Sequence, residues 1–513
     1  MSGYLRRLAT TGAAYTAASI VSKLIAVALL PLYTRYLSLT DYGDAEVMFA
    51  AVVSASIVVR FGMLEALLRF YYKEGEDPDR VVATSFAALF WFATAAALIA
   101  LPFAQPISEA LLDRSAPDLA RISIGGLWVL TMSEYLLTLF RLEERARAFF
   151  TTTIINVLLA IGITVVLVVG AEEGTRGLLV GSYGSGAIVV VALLFVHRRR
   201  LSLRFERPLL RRLTRFGLPT MPAELSLYGL NFVDRLILLH SAGAGAAGLY
   251  SLAVKFAQGV NVLVRGFQLA WPPLAYSIRD DGEARRFYAT VVSLFVAGCA
   301  FVVAGMWLLS RWIVRALAAP EFFASYEAIG LVATGVTLYA LYMVLIVILG
   351  RTGRTEFNFP ATAAALVANI ALNLALVPSL GIVGAGLALV ASYLVLLALM
   401  YGFTQRLFPV PYEWGRLIRV LAVSASLIGL GEWLLPTDGF EGLVLRVALW
   451  LAYPFALLAT GFFTRGERAW LARLRHPAEI ARGLRALRPA GAGVDGSIPE
   501  VYEAERIDED ARF

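Results

Sequence analysis

The chain has 513 residues, of which 59% are apolar and 16% are charged, and its mean hydropathy is +0.72. Soluble domains are about half apolar and about a quarter charged, so this composition excludes an ordinary soluble enzyme and makes lipid the expected solvent. The net charge of +7 is first a topology signal, because Lys and Arg collect in cytoplasmic loops, and it does not imply nucleic acid as a partner. With a single cysteine, Cys299, we expect no intrachain disulfide and no Cys-based metal site. We also expect no cofactor.

Mainly apolar runs of about 18 residues or more recur along the chain. Because a membrane-spanning helix needs about 20 such residues, the sequence predicts an all-α polytopic membrane protein with about 14 transmembrane helices. The first run follows Arg6 and Arg7 but is too long for a signal peptide and contains Lys23, so we interpret it as a retained span. The predicted spans are 11–36, 45–70, 81–103, 121–141, 150–170, 177–197, 216–239, 247–275, 287–309, 327–349, 360–378, 382–402, 417–435 and 443–463.

Cationic residues are distributed unevenly between alternate loops. The loops after spans four, six and eight are rich in arginine, whereas the loops 38–44, 241–246 and 378–381 contain neither Lys nor Arg. Both termini are therefore predicted to be cytoplasmic, in a multi-pass protein of the inner (cytoplasmic) membrane. The arginines that carry this prediction are Arg141, Arg145, Arg147, Arg198, Arg199, Arg200, Arg204, Arg207, Arg211, Arg212, Arg215, Arg279, Arg285 and Arg286.

The C-terminal end differs in character from the spans. Between Thr464 and Arg488, seven arginines alternate with apolar side chains, which is typical of an amphipathic helix on an anionic membrane surface, or else of an ordinary solvated helix. Residues 489–499 are rich in Gly and Ala, and residues 500–513 are acidic. We therefore assign 464–513 to a cytoplasmic basic amphipathic segment and a disordered acidic tail.

A weak internal repeat organises the spans. A shift of 205 residues places Gly43 on Gly248 and Arg60 on Arg265, so that 17 residues separate Gly from Arg in both copies. Chance alignment of so few residues is the alternative, and the loop pattern favours the repeat. Six-span repeats have the same orientation and are typical of transporters whose substrate lies between two halves. We predict an N-terminal six-helix lobe (1–200), a C-terminal six-helix lobe (201–410) and two additional transmembrane helices (411–463).

Spans seven and eight carry polar side chains at depths where lipid is expected. A charge at the bilayer centre costs roughly 2.5–3.5 kcal/mol on insertion scales, so such groups usually face a bundle interior or a watery cavity. Their spacing of three or four residues places each set on one helix face, and two adjacent polar stripes favour an aqueous cavity over polar helix packing. The stripes are Glu224, Tyr228, Asn231 and Arg235 on span seven and Lys255, Gln258, Asn261, Arg265 and Gln268 on span eight.

The sign of the deep charges favours an anionic ligand. Five are basic and four acidic, and an expected i,i+4 ion pair between Glu65 and Arg69 removes one of the acids from the balance. Asn369 and Asn373, one turn apart in span eleven, suit either sugar hydroxyls or helix packing. The deep charges are Lys23, Arg60, Arg235, Lys255, Arg265, Glu65, Glu134, Glu224 and Asp234.

Several motifs argue against enzymatic or nucleotide-binding functions. The GxGxxG pattern beginning at Gly243 follows a membrane helix instead of a strand, which argues against dinucleotide binding. No phosphate-loop signature is present, and the three histidines are too scattered for a zinc motif. Asp41 and Asp44 lie in the first outer loop, where some membrane glycosyltransferases hold metal ligands. The short outer loops favour the alternative that these acids cap a helix start.

Three segments carry a family resemblance. They are RYLSLTDYG at 35–43, DRLILLHSAGAGAAGLYSLA at 234–253 and GIVGAGLAL at 381–389. Together they resemble the polysaccharide and O-antigen flippases of the multidrug/oligosaccharidyl-lipid/polysaccharide exporter superfamily, over residues 4 to about 463. The Arg-rich first span expected of peptidoglycan-precursor flippases is not seen.

The resemblance implies two lobes around a central cavity and alternating access. It also implies transfer of an undecaprenyl-diphosphate-linked oligosaccharide to the external leaflet, powered by an ion gradient. The expected partners are this lipid-linked oligosaccharide, membrane lipid and, as candidates, a polysaccharide polymerase and glycosyltransferases. The candidate diphosphate-binding cations are Lys23, Arg60, Lys255 and Arg265, and the candidate polar cavity lining is Gln258, Asn261, Asn369 and Asn373. The candidate ion-coupling residues are Glu224, Asp234, Arg235 and Glu134.

Two alternatives remain open at the level of sequence. One is an ion-coupled drug or metabolite antiporter of the same superfamily, which cation binding at Glu134 and Glu224 would favour. The other, from the enzyme class, is a membrane glycosyltransferase, which sugar transfer by the purified protein alone would establish. We expect a transporter and no enzyme activity.

Overall fold

The apolar runs form helices, because a helix satisfies its backbone hydrogen bonds internally where lipid offers none. The computed structural model describes residues 29–73, 75–464 and 467, and these residues contain no β-strand. The helices are α1 Leu30–Tyr36, α2 Leu39–Arg60, α3 Met63–Tyr71, α4 Pro78–Ala100, α5 Ala104–Leu112, α6 Pro117–Leu142, α7 Ala146–Thr164, α8 Gly174–His197, α9 Arg207–Gly217, α10 Met221–Ala242, α11 Ala244–Ala257, α12 Val260–Ser277, α13 Asp281–Leu317, α14 Tyr326–Arg351, α15 Asn358–Leu407, α16 Trp414–Leu434, α17 Gly439–Leu451 and α18 Tyr453–Ala459.

A helix or helix pair occupies each predicted span from the second to the fourteenth. Ten of the described helical segments are long and apolar enough to cross a membrane. The count is lower than the prediction because α10 carries three charged residues, span eight is divided between α11 and α12, and α15 covers spans eleven and twelve. Gly381, with φ 54°, breaks α15 between those two spans. Most of the predicted first span and nearly all of the tail at 464–513 lie outside the described residues.

Span two differs from the single predicted helix. It is divided into α2 and α3 at Phe61 and Gly62, which have φ values of 48° and 64°. Gly62 also lies against the backbone of Gly217, so a side chain at this position would meet both a left-handed backbone and a backbone contact. The break thus lets the start of the seventh span approach the end of α2.

The predicted loop 38–44 is mostly helical. Ser38 caps α2, since its hydroxyl accepts a hydrogen bond from the Asp41 backbone N–H, and the Asp41 carboxylate accepts one in return from the Ser38 N–H. This confirms that Asp41 caps a helix start. Asp44 instead forms an ion pair with Arg114 and is buried.

The connections between helices meet in two sets, as alternating spans require. At one end, Arg200 bonds to Asp79 and Glu143, at 2.5 and 2.6 Å, and joins the loops after spans two, four and six. At the other end, the Thr175 hydroxyl donates to Asp41 at 3.0 Å, and the Ala319 N–H donates to the Thr34 hydroxyl at 3.0 Å. Which end faces the cytoplasm stays a prediction.

Helix α2 lies at the centre of the described unit up to Ala456, where it packs against α6, α8, α10 and α11. Helices α16 and α17 instead pack against α13. Trp450 stacks on Phe301 with ring centroids 4.7 Å apart, and the buried Arg446 pairs with Glu432 at 2.5 Å. The two additional helices are thus fixed to α13.

Candidate substrate cavity

A cavity of about 570 Å³ lies where α2, α6, α10, α11, α12, α14 and α15 converge. It combines three charged side chains with amides, tyrosines and aliphatic groups. Glu224 and Tyr228 of one predicted stripe and Gln258 and Asn261 of the other lie in its wall, so parts of both stripes face a common space. Its lining residues are Val53, Ile57, Arg60, Glu134, Glu224, Leu227, Tyr228, Val254, Gln258, Asn261, Val336, Tyr339, Leu389 and Tyr393.

Arg60 is the charged centre of this cavity. Its Nη1 lies 2.5 Å from Glu134 Oε2 and its Nη2 lies 3.0 Å from Glu224 Oε1, while Nε donates to the Ser56 carbonyl at 3.2 Å. The arginine side chain is only 9% exposed, whereas the two carboxylates are about one-third or more exposed toward the cavity. One guanidinium therefore bridges carboxylates from two different helices.

Local structure explains how these residues meet. Arg60 is the last residue of α2, directly before the break at Phe61 and Gly62. Glu224 lies in the first turn of α10, just beyond the point where Gly217 contacts Gly62. The close backbone approach at the two glycines brings the start of α10 to the end of α2.

Lys255 belongs to an ion pair that the sequence analysis missed. Its Nζ lies 2.5 Å from Oε1 of Glu46 on α2 and 4.9 Å from the centre of the Tyr42 ring. The Glu46 side chain is 8% exposed. The sequence carried a signal for this partner, because Glu46 lies inside the predicted span two but was not counted among the deep charges.

Asp234 lies in a second polar cluster, separate from the residues that line the cavity. Its carboxylate is fully buried and accepts hydrogen bonds from the Tyr250 hydroxyl at 2.9 Å and the Asn373 amide at 2.7 Å. Asn369, one turn before Asn373, is also fully buried. The neighbouring Arg235 donates from Nε to the Ser251 hydroxyl at 2.9 Å.

The structure brings together some of the predicted site residues and separates others. Arg60, Glu134, Glu224, Gln258 and Asn261 share the cavity, whereas Asn369 and Asn373 accompany Asp234 and do not line it. Lys23 lies outside the described residues, as does the side chain of Arg265 in α12.

One expectation about charge is wrong. Glu65 and Arg69 form no ion pair within the described residues, and the Arg69 guanidinium instead lies 4.6 Å from the Phe216 ring centre. The described cavity lining contains one arginine and two glutamates. Because Lys23 and the Arg265 side chain lie outside the described residues, the cationic excess stays a prediction.

Comparisons with known proteins give the family and the fold. The family model described as polysaccharide biosynthesis protein matches residues 8–278, which is more than half of the chain. No curated protein sequence matches significantly.

Among solved structures, the chain is similar to the lipid II flippase MurJ in an inward closed conformation. The TM-score is 0.63 at 14% identity, over 86% of this chain and 97% of that one. It is also similar to an inward-facing multidrug resistance MATE family transporter of the MOP superfamily. The TM-score is 0.60 at 15% identity, over 75% of this chain and 98% of that one. A third similar structure is a MOP superfamily transporter from Pyrococcus furiosus, whose binding pocket is described as having reverse polarity. The TM-score is 0.55 at 15% identity, over 81% of this chain and 95% of that one.

These likenesses, together with the helices long enough to span a membrane, make the chain a multi-pass membrane protein with the fold of flippases and transporters. The chain belongs to the polysaccharide biosynthesis protein family.

Proposed function

We propose that this member of the polysaccharide biosynthesis protein family moves a polyprenyl-diphosphate-linked oligosaccharide across the cytoplasmic membrane by alternating access. The observation that carries the proposal is the buried guanidinium of Arg60 on the wall of the cavity, held between two carboxylates. A diphosphate presents anionic oxygens of the kind that a guanidinium binds through its planar fork. The substrate diphosphate thus replaces Glu134 and Glu224 as the partner of Arg60.

This exchange keeps Arg60 paired throughout the transport cycle. Removing one partner of a buried ion pair costs about 3–5 kcal/mol, so an unpaired Arg60 would make either binding or release very unfavourable. Glu134 and Glu224 hold the guanidinium when the cavity is empty, and the diphosphate holds it when the cavity is loaded. Return of the carboxylates then favours release of the substrate.

The remaining cavity wall suits the sugars next to the diphosphate. Tyr228, Tyr339 and Tyr393 offer aromatic surface, and Gln258 and Asn261 offer amide donors and acceptors for hydroxyl groups. The volume of about 570 Å³ falls within the usual range of roughly 300–1,000 Å³ for small-molecule sites. We therefore assign the diphosphate and the first sugars to the cavity and the polyprenyl chain to the surrounding lipid.

Alternating access requires two lobes, which we assign to 1–200 and 201–410, with 411–463 as an appendage. Gly43 and Gly248 are equivalent positions in the two repeats, and they are in contact: a Cβ at Gly43 would lie 3.0 Å from the Gly248 backbone nitrogen. Two residues that are related by a twofold axis contact each other only where they lie close to that axis. The contact between Gly43 and Gly248 therefore supports the repeat. Contacts of α2 with α10 and α11 connect the lobes on both sides of the cavity.

Asp234 is our candidate for ion coupling. Its carboxylate is buried among neutral donors, and the Asn373 side-chain oxygen beside it is buried and accepts no hydrogen bond from the described residues. These oxygens offer a place for a proton or a sodium ion.

In proteoliposomes, Asp234→Asn should leave downhill equilibration of substrate intact but remove its response to an imposed proton or sodium gradient. A parental response in the Asn variant would exclude Asp234 as the coupling residue.

The experiment that tests the proposed function is complementation of a strain that lacks its own flippase. Arg60→Ala should abolish surface polysaccharide while the protein remains in the membrane, and Arg60→Lys should restore part of it, because the charge survives without the planar fork. Arg121→Ala is the matched control, since Arg121 forms an exposed pair with Asp118 on α6. Normal polysaccharide in the Arg60→Ala strain would contradict the proposal.

A cation antiporter is the second candidate, and the two carboxylates that face one arginine favour it. A hydrophobic cation would then bind to Glu134 and Glu224 while Arg60 moves away. Competition binding to the purified protein separates the candidates: a polyprenyl diphosphate should bind and an aromatic cation should not. The reverse order of affinity would support the antiporter.

A further inference from the structure

The loop 201–206, between α8 and α9, lies along the side of α4. The Trp91 indole N–H donates to the Leu203 carbonyl at 3.0 Å, and the Glu206 N–H donates to the Thr84 hydroxyl at 3.4 Å. Because α4 begins at Pro78, Thr84 and Trp91 lie in roughly the second and fourth turns of this helix, and the loop covers that stretch. The loop therefore runs from the helix end toward the region where lipid surrounds α4.

A pocket of about 430 Å³ lies between this loop and the start of α4. Two of the four arginines that line it are paired: Arg80 binds Glu206 through two nitrogens, at 2.8 and 2.5 Å, and Arg200 binds Asp79 at 2.5 Å. Arg199 and Arg204 form no ion pair with any described residue. Its charged lining is Asp79, Arg80, Arg199, Arg200, Arg204 and Glu206.

The carboxylates in this pocket do not neutralise the two remaining arginines. The hydrogen bond from Arg80 lowers the pKa of Glu206 below its usual value, so Glu206 is charged at neutral pH and is committed to Arg80. Asp79 is likewise committed to Arg200. The residues that line the pocket therefore carry two more positive than negative charges, and Glu143, which also binds Arg200, lies outside the lining.

Apolar side chains flank these charges. Leu203 is 51% exposed and Phe205 is 41% exposed, on either side of Arg204 in the sequence. Trp91, about half exposed, lies below them on α4. Alternating apolar and cationic groups beside an exposed tryptophan are typical of the boundary between lipid headgroups and acyl chains.

We propose that this pocket is a binding site for the phosphate headgroup of an anionic membrane phospholipid, held by Arg199 and Arg204. The acyl chains lie against Leu203, Phe205 and Trp91. The exposed apolar flank is what distinguishes this ligand from a free phosphate ion, because a soluble anion would gain nothing from it. The inference does not depend on the transported substrate.

The test is retention of phosphatidylglycerol by protein purified from mixed phosphatidylglycerol and phosphatidylcholine vesicles, measured by native mass spectrometry. The Arg199→Gln/Arg204→Gln double variant should retain about 25-fold less phosphatidylglycerol than the parent, because each of the two cations near an anionic surface contributes about fivefold in binding. Its matched control is Arg211→Gln/Arg215→Gln, which removes the same charge from exposed positions on α9.

Parental retention in the Arg199/Arg204 variant, or equal loss in the control, would overturn the site. Displacement of the lipid by millimolar inorganic phosphate would show a free-anion site and would overturn the phospholipid assignment. A second variant, Leu203→Asn/Phe205→Asn, should weaken phosphatidylglycerol binding while leaving the charges intact. Because the readout is bound phospholipid and not transport, failure here is distinguishable from failure of the proposed function.

Discussion

Arg60 combines burial with two carboxylate partners of greater exposure, and this asymmetry governs what the cavity can bind. A buried guanidinium needs a counter-charge at all times, but the identity of that counter-charge is free to change. Glu134 and Glu224 therefore compete with any anionic ligand for the same nitrogen atoms. In the function that we propose, the affinity of the cavity for a diphosphate depends on this competition as well as on direct attraction.

Removing one competitor should tighten anion binding. We expect Glu134→Gln to lower the Kd for farnesyl diphosphate, a short polyprenyl diphosphate, by about tenfold, equivalent to ~1.4 kcal/mol. Isothermal titration calorimetry of the purified protein measures this, with Asp118→Asn as the control at an exposed ion pair. Unchanged or weaker binding by Glu134→Gln would show that Glu134 does not compete with the ligand.

Lys255 has a structural role, because Glu46 is left almost fully buried when Lys255 is removed. Lys255→Met should lower the free energy of unfolding by about 3–5 kcal/mol, and adding Glu46→Gln should recover part of that loss. Thermal unfolding in detergent, compared across both single variants and the double variant, gives the coupling energy. Additive losses in the double variant would argue against the ion pair.

At the residue scale, the sequence was informative about which charges are deep and uninformative about their partners. Arg60, Glu134 and Glu224 could be identified because a charge in an apolar run needs a polar environment. Their partnership could not, because they lie 74 and 164 residues apart and meet only through tertiary packing. For the same reason, counting charges could not show that Arg60 and Lys255 are paired with glutamates from other helices.

The two ends of the α2 region, at Gly43 and Gly62, contact the segment that we assign to the C-terminal lobe. A Cβ at Gly43 would lie 2.8 Å from the Ala244 carbonyl carbon, and a Cβ at Gly217 would lie 2.6 Å from the carbonyl carbon of Gly62. Both distances are too short for the Cβ of an alanine, so each glycine allows the helices to close one end of the cavity. Apolar run length predicted one span at 45–70 and missed both the start of α2 at Leu39 and its break at Phe61, because apolar residues continue through the left-handed turn.

Gly43→Ala and Gly217→Ala should therefore open opposite ends of the cavity. With the predicted topology, Gly43→Ala should increase labelling of an Asn261→Cys reporter from outside, and Gly217→Ala should increase it from the cytoplasm. Labelling with a membrane-impermeant maleimide in a Cys299→Ala background measures both, and Gly429→Ala is the control because an added Cβ there meets no atom within 4 Å. The same direction of change in both variants would contradict the assignment of the two closures.

At the scale of the whole molecule, the division of loops into two sets follows from counting spans, and the hydrogen bonds of Arg200 and Thr175 agree with it. Apolar run length was sufficient to locate the helices because lipid imposes that length. The family and the cavity support the proposed transport function, whereas the predicted orientation depends on arginine counts alone. Orientation is therefore the part of the architecture that most needs measurement.

Cysteine labelling tests the orientation directly. Ser241→Cys, near the end of α10, should react with an impermeant maleimide added outside intact cells, and Arg279→Cys, after α12, should react only after permeabilisation. The native Cys299 is fully buried, so we expect it to contribute little labelling of its own. The opposite labelling pattern would invert the predicted topology and place the arginine-rich loops outside.

The central claim is that Arg60 binds the diphosphate during transport. Its most direct test is translocation of a fluorescent polyprenyl-diphosphate-linked oligosaccharide in proteoliposomes, followed by quenching of the label that remains in the outer leaflet. We expect rapid translocation by the parent, near-background rates for Arg60→Ala and an intermediate rate for Arg60→Lys, with Arg121→Ala unchanged. Translocation by Arg60→Ala at the parental rate would contradict the account.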